Sequence, residues 1–97
     1  MNFKIKITVG VLSLSARRAH VLVHTGEFKK DGGLKISSLV IECRLGSDGI
    51  VEVNTNKSPL YISVEHTHYT TILNRKIENH MIHDGELRIH LKPISAR

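Results

Sequence analysis

The sequence predicts an all-β fold, mainly antiparallel, built as a small two-sheet sandwich or barrel of about six to seven strands. Three observations predict it. Apolar and polar residues alternate with a period of two along much of the 97-residue chain, which is the pattern of half-buried strands. Loops rich in Gly, Asp, Asn, Ser and Pro separate the alternating stretches, and these residues favour turns. The spacing of the stretches suits a sandwich or barrel of about this length.

Taken in order, Phe3, Ile5, Ile7, Val9 and Val11 share one parity, opposite Asn2, Lys4, Lys6 and Thr8. After Gly10 the apolar parity passes to Leu12 and Leu14. A glycine at a parity change reads as a bulge, so residues 2 to 14 are expected to form one long, bent strand. Arg17 to Thr25 is the second strand, with Val21 and Val23 on one face and Arg18, His20, Leu22 and His24 on the other. Gly26 to Gly33 is a solvated loop. Leu34 to Leu45 is the third strand, placing Leu39, Ile41, Cys43 and Leu45 inward, with Glu42 and Arg44 outward. Gly46-Ser47-Asp48-Gly49 has the composition of a tight turn. Ile50 to Asn54 follows as a short strand, and Asn54 to Pro59 as a polar loop. Leu60 to about Ile72 places Leu60, Ile62 and Val64 opposite Tyr61, Ser63 and Glu65.

Between Thr70 and His83 two structures compete. Tyr69, Leu73, Ile77 and Met81 recur every four residues, as on one face of a short helix. Against that, Asp84-Gly85 lies between Met81-Ile82 and Leu87-Ile89, a hairpin signal. The hairpin is the favoured reading. Glu86 to Lys92, with Leu87, Ile89 and Leu91 inward, is the last strand in both.

The strand count resembles that of an immunoglobulin-type sandwich, although the chain has no Trp and its one cysteine cannot make that fold's inter-sheet disulfide. Residues 1–97 read as one β-rich domain, with no repeat or linker dividing it. The lone Cys43 shares the parity of Leu39, Ile41 and Leu45, so it reads as a buried thiol in a reducing compartment. Lys6, Thr8 and Gly10 interrupt the first apolar run, unlike the continuous core of a secretory signal. No run approaches a membrane span of about 18 residues. The expectation is a cytoplasmic protein with no membrane partner.

Charge carries the first functional signal. Residues 1 to 30 hold Lys4, Lys6, Arg17, Arg18, Lys29 and Lys30 against Glu27 alone, so an excess equal to the whole +5 lies there. If the first two strands pair, Lys4 and Lys6 share a face with Arg18, His20 and His24. Such a face attracts nucleic acid or another polyanion by releasing condensed counterions. The candidate polyanion-binding set is Lys4, Lys6, Arg17, Arg18, His20, His24, Lys29 and Lys30. Stacking groups are few, and no zinc-finger, basic-zipper or RRM motif is present.

The seven histidines are the second signal. On a strand, His66 and His68 point to the same side and place two imidazoles within reach of one zinc ion. A closed site takes four ligands and an open one about three, so the other donors have to come from elsewhere in the fold. Imidazole changes charge nearest neutrality, so mild acid should tighten polyanion binding.

Catalytic signatures are missing: no phosphate-binding loop, nucleophile elbow or C-x-x-C pair occurs. The sequence therefore reads as a small non-catalytic binding or regulatory module rather than an enzyme. A competing reading is protein–protein interaction or self-assembly through an edge strand, including homodimerisation, with the N-terminal strand as the edge and its lysines as guards.

Overall fold

A computed structural model describes residues 2–27 and 38–94. Lys29, Lys30, most of the predicted loop at 26–33 and the first third of the predicted third strand (34–37) lie outside the described residues. The strands are β1 (Asn2–Val9), β2 (Leu14–Ser15), β3 (His20–His24), β4 (Leu39–Arg44), β5 (Ile50–Asn54), β6 (Leu60–His66), β7 (Tyr69–Ile77), β8 (Ile82–His83) and β9 (Glu86–Leu91).

They form two sheets facing one core. In the first, β1 is central: β9 runs parallel to it on one side, while β5 and then β2 run antiparallel to it on the other. β8 lies outside β9. The second sheet has the order β4-β3-β6-β7, antiparallel throughout. Alternation explains the filling between them. Phe3, Ile5, Ile7, Val51, Val53, Leu87, Ile89 and Leu91 from one sheet meet Val21, Val23, Leu60, Ile62, Val64 and Ile77 from the other. Burying each such side chain contributes about 1.5–3 kcal/mol.

The all-β sandwich is thus as the alternation predicts, and among the described residues no closed barrel forms. The N-terminal segment differs from expectation. Residues 2 to 14 are not one bent strand, because Gly10 (φ 75°) and Ser13 (φ 51°) adopt left-handed conformations that reverse the chain. The Ser13 N–H donates to the Gly10 carbonyl at 3.2 Å, and β2 returns along β1. Nor is β1 an edge, since both of its sides are paired. β1 and β3 lie in different sheets, so the pairing on which a shared basic face depends does not occur.

The second predicted strand is shorter than read, beginning at His20; the buried Ala16 and Ala19 lead into it. The long strand expected from Leu60 to Ile72 is broken at Thr67-His68, a two-residue turn joining β6 to β7. In the 70–83 region the strand reading holds. The helical period yields only a single 3-10 turn at Asn79–Met81, and Asp84 (φ 51°) with Gly85 (φ 74°) closes the β8–β9 hairpin. Two successive left-handed residues are what a type I′ hairpin turn requires.

The sheets are laced together at one end. The Thr70 N–H donates to the Lys92 carbonyl at 2.7 Å, and the Ile94 N–H to the His68 carbonyl at 3.4 Å. From there the seam between β7 and β9 opens. Among the described residues no strand pairs with the outer edge of β7, and none but β1, on the inner edge, pairs with β9 beyond Leu87.

Candidate anion-binding surface

The predicted basic residues separate onto different parts of the sandwich. Lys4 and Lys6 lie on the outer face of the first sheet, where Lys4 sits 3.9 Å from Glu52 and Lys6 is level with Arg88. His20 is on the outer face of the second sheet, its Nε2 2.8 Å from Glu42 Oε2. His24 is fully buried. The single basic face expected of the first two strands is therefore not present, because its members belong to opposite sheets.

Arg17 and Arg18 instead gather with Arg44, His66 and His68 from later in the chain, at the end where the sheets are laced. Here β1 turns into β2, β2 leads to β3, β4 leads to β5, and β6 turns into β7. The Arg18 N–H donates to the Leu45 carbonyl at 3.0 Å, and the Leu45 N–H to the Ala19 carbonyl at 2.9 Å. These bonds hold Arg18 beside the end of β4, where Arg44 Nη1 donates to the Arg18 carbonyl at 3.4 Å. Arg18 has φ 67°, a conformation a long side chain adopts at a steric cost.

Arg18, Arg44, Glu65, His66, Thr67 and His68 line a cleft of 430 Å³ at this end. Arg44 was not among the sequence candidates. The signal that finds it is positional: if Leu39–Arg44 pairs antiparallel to the strand after Arg17-Arg18, its last residue falls beside their loop. The same end carries an apolar projection. Of the five exposed large apolar side chains among the described residues, Val11 (100% exposed), Leu12 (80%), Leu14 (61%) and Ile94 (55%) lie here. The turn at Gly10–Ser13 places the first two in solvent.

His66 and His68 do come together, with ring centroids 5.7 Å apart, but through the turn rather than along one strand face. The His66 Nε2–H donates to the Arg17 carbonyl at 3.1 Å, and Nδ1 accepts the His68 backbone N–H at 3.1 Å. Both ring nitrogens are thus committed to backbone, and a zinc ion has to displace one of these bonds to use His66. No group of three potential metal ligands occurs among the described residues. In its present arrangement His66 braces Arg17, and its ring meets Tyr69 edge-on at 5.0 Å.

His24 has a separate role. Its Nδ1 is bonded to the Gly26 carbonyl, which can only accept, so Nδ1 carries a proton. In the neutral ring Nε2 then accepts the Ser63 hydroxyl at 2.9 Å, while Ser63 Oγ accepts the Asn74 backbone N–H at 3.1 Å. Tyr61 stacks on the imidazole at 6.0 Å. Ser63 and His24 are held in the interior, which makes this network an anchor between β3, β6 and β7. Cys43, facing Val21 across the β3–β4 pair, is half-buried, and burial pushes its thiol pKa up.

Among the described residues no helix is long and apolar enough to cross a membrane. Comparison with protein-family models, with curated proteins and with solved structures finds no match.

Proposed function

We propose that this protein is a non-catalytic binding module that engages a phosphate-bearing polyanion, nucleic acid first among them, through the laced end of the sandwich. The observation that carries this reading is the cleft in which Arg18, Arg44, His66 and His68 converge beside Arg17, with Glu65 the one carboxylate in its lining. Arginine suits the task because its planar fork matches phosphate oxygens and stays charged.

The character of the contact follows from what surrounds the cations. Tyr61 is stacked on His24 and Tyr69 packs against His66, so neither tyrosine is an unengaged platform for bases. Binding then runs through phosphates and is indifferent to sequence. The apolar Val11-Leu12 projection adds a contact that does not depend on salt.

Fluorescence anisotropy with mixed-sequence single- and double-stranded oligonucleotides at several salt concentrations tests the reading. Three arginine contacts correspond to a log–log salt slope of about −3 for duplex DNA. Arg44→Gln should weaken binding to all sequences alike and reduce the slope by about 1. No binding at low salt sinks the proposal.

A second reading, protein interaction through an edge strand, is favoured by the open seam between β7 and β9. The edge concerned is β7, in place of the N-terminal strand expected from the sequence.

A further inference from the structure

We infer that the open seam between β7 and β9 is a docking site for an extended, acidic peptide, which adds to the sheet as a guest strand. The inference rests on the edge-strand reading and is independent of the anion-binding end.

The backbone supplies the first half of the argument. β7 is nine residues long and lies at the edge of its sheet; β9 has an outer edge that β8 covers only at Glu86 and Leu87. The two are joined near Tyr69 and Pro93 and then part, leaving a cleft of 370 Å³ lined by Thr70, Thr71, Ile72, Leu73, Arg75, His90 and Lys92. An exposed strand edge presents a row of N–H and C=O groups, the template used in strand addition. Leu73, 57% exposed, is the one large apolar side chain exposed away from the laced end among the described residues.

Charge identifies the occupant. The lining holds Arg75, His90 and Lys92 and no carboxylate. Asn74, in a left-handed conformation (φ 52°), shifts the pairing of β7 with β6, and Arg75 falls opposite the core residue Ile62. Its position is therefore on the inner side of the sheet, at the mouth of the seam, where a guest strand runs. A second copy of β7 brings Arg75 and Lys76 against the same residues, like charge on like. A strand alternating apolar with acidic residues satisfies both the backbone edge and the cations.

Three fluorescein-labelled peptides test this in anisotropy titrations of the full chain: one alternating valine with glutamate, one alternating valine with lysine, and an N-methylated form of the first. Only the unmodified glutamate peptide should bind. Arg75→Glu should weaken it by about tenfold, the worth of a single ion pair turned repulsive, and should admit the lysine peptide. Amide shifts of the wild-type chain should move along β7 and β9, so the test does not hang on one variant. Arg44→Gln should leave peptide binding intact, and Arg75→Glu should leave oligonucleotide binding intact, which separates failure here from failure at the other end. Equal binding of the N-methylated peptide overturns strand addition, leaving a merely electrostatic contact. Binding of neither acidic peptide overturns the site and leaves Arg75 as a guard of the edge. Concentration-dependent dimerisation with perturbations along β7 overturns the acidic occupant in favour of a second copy.

Discussion

His24 is fully buried although its parity does not predict it. Alternation places it outward with His20 and Leu22, yet the pairing of β3 with β4 shifts at Val23/His24, and the ring is buried between Tyr61, Ser63 and the Gly26 carbonyl. Removing Ser63 Oγ takes away one hydrogen bond of the Asn74 N–H and one of His24 Nε2. Ser63→Ala should therefore cost about 1–3 kcal/mol in urea denaturation; a value within error of zero means the network does not anchor the sheet. Ser63 too was assigned outward by alternation, since a period of two reports direction and says nothing of what covers a face. Cys43 lies inward as its parity predicts, but it is half-buried rather than a buried thiol. Its raised pKa means little thiolate at neutral pH, so iodoacetamide alkylation, followed by mass spectrometry, should be slower than for a free thiol and should accelerate in alkali. Stability follows the same sign. The folded state holds this proton more tightly, so the contribution is intact below the unfolded thiol's pKa and is lost as pH rises through the folded value.

The glycine-containing turns at 46–49 and 84–85 were legible, and the turn between β6 and β7 was not. Asp84-Gly85 announces its hairpin, whereas Thr67-His68 contains none of the usual turn residues, and two strands were read as one. At Gly10 the signal was present but ambiguous, because apolar residues continue on both sides as they do in a strand with a bulge. Val11 and Leu12 look like core and are in solvent. The glycines also separate two physical effects. A Cβ at Gly49 meets the Ile7 carbonyl at 2.9 Å and Ser15 Cβ at 3.0 Å, with φ 66°, whereas Gly85 has φ 74° and open space within 4 Å. Gly85→Ala should cost only the left-handed penalty of about 1–2 kcal/mol. Gly49→Ala should cost more, since β1, β2 and the β4–β5 turn meet there. Equal losses in paired urea melts contradict that close approach.

At the scale of the whole molecule, the region carrying the excess charge was legible and the face was not. Lys4 and Arg18 are near in sequence but far apart in the fold, because assigning a strand to a sheet depends on partners found much later in the chain. Arg44 joins Arg18 for the same reason. The two contributions proposed for the laced end have different signatures: Arg44→Gln should change the salt dependence of oligonucleotide affinity, whereas Leu12→Ser should lower affinity and leave the slope unchanged. A slope change in the Leu12 variant contradicts an apolar role for the projection. The parallel pairing of β1 with β9 also governs how this molecule is made. β1 leaves the ribosome with both of its flanks unfilled, and β9 follows only after all the intervening strands. At roughly 5–20 residues per second, that wait is on the order of ten seconds. During it Phe3, Ile5 and Ile7 have no finished core to enter, so their apolar surface stays uncovered until β9 arrives.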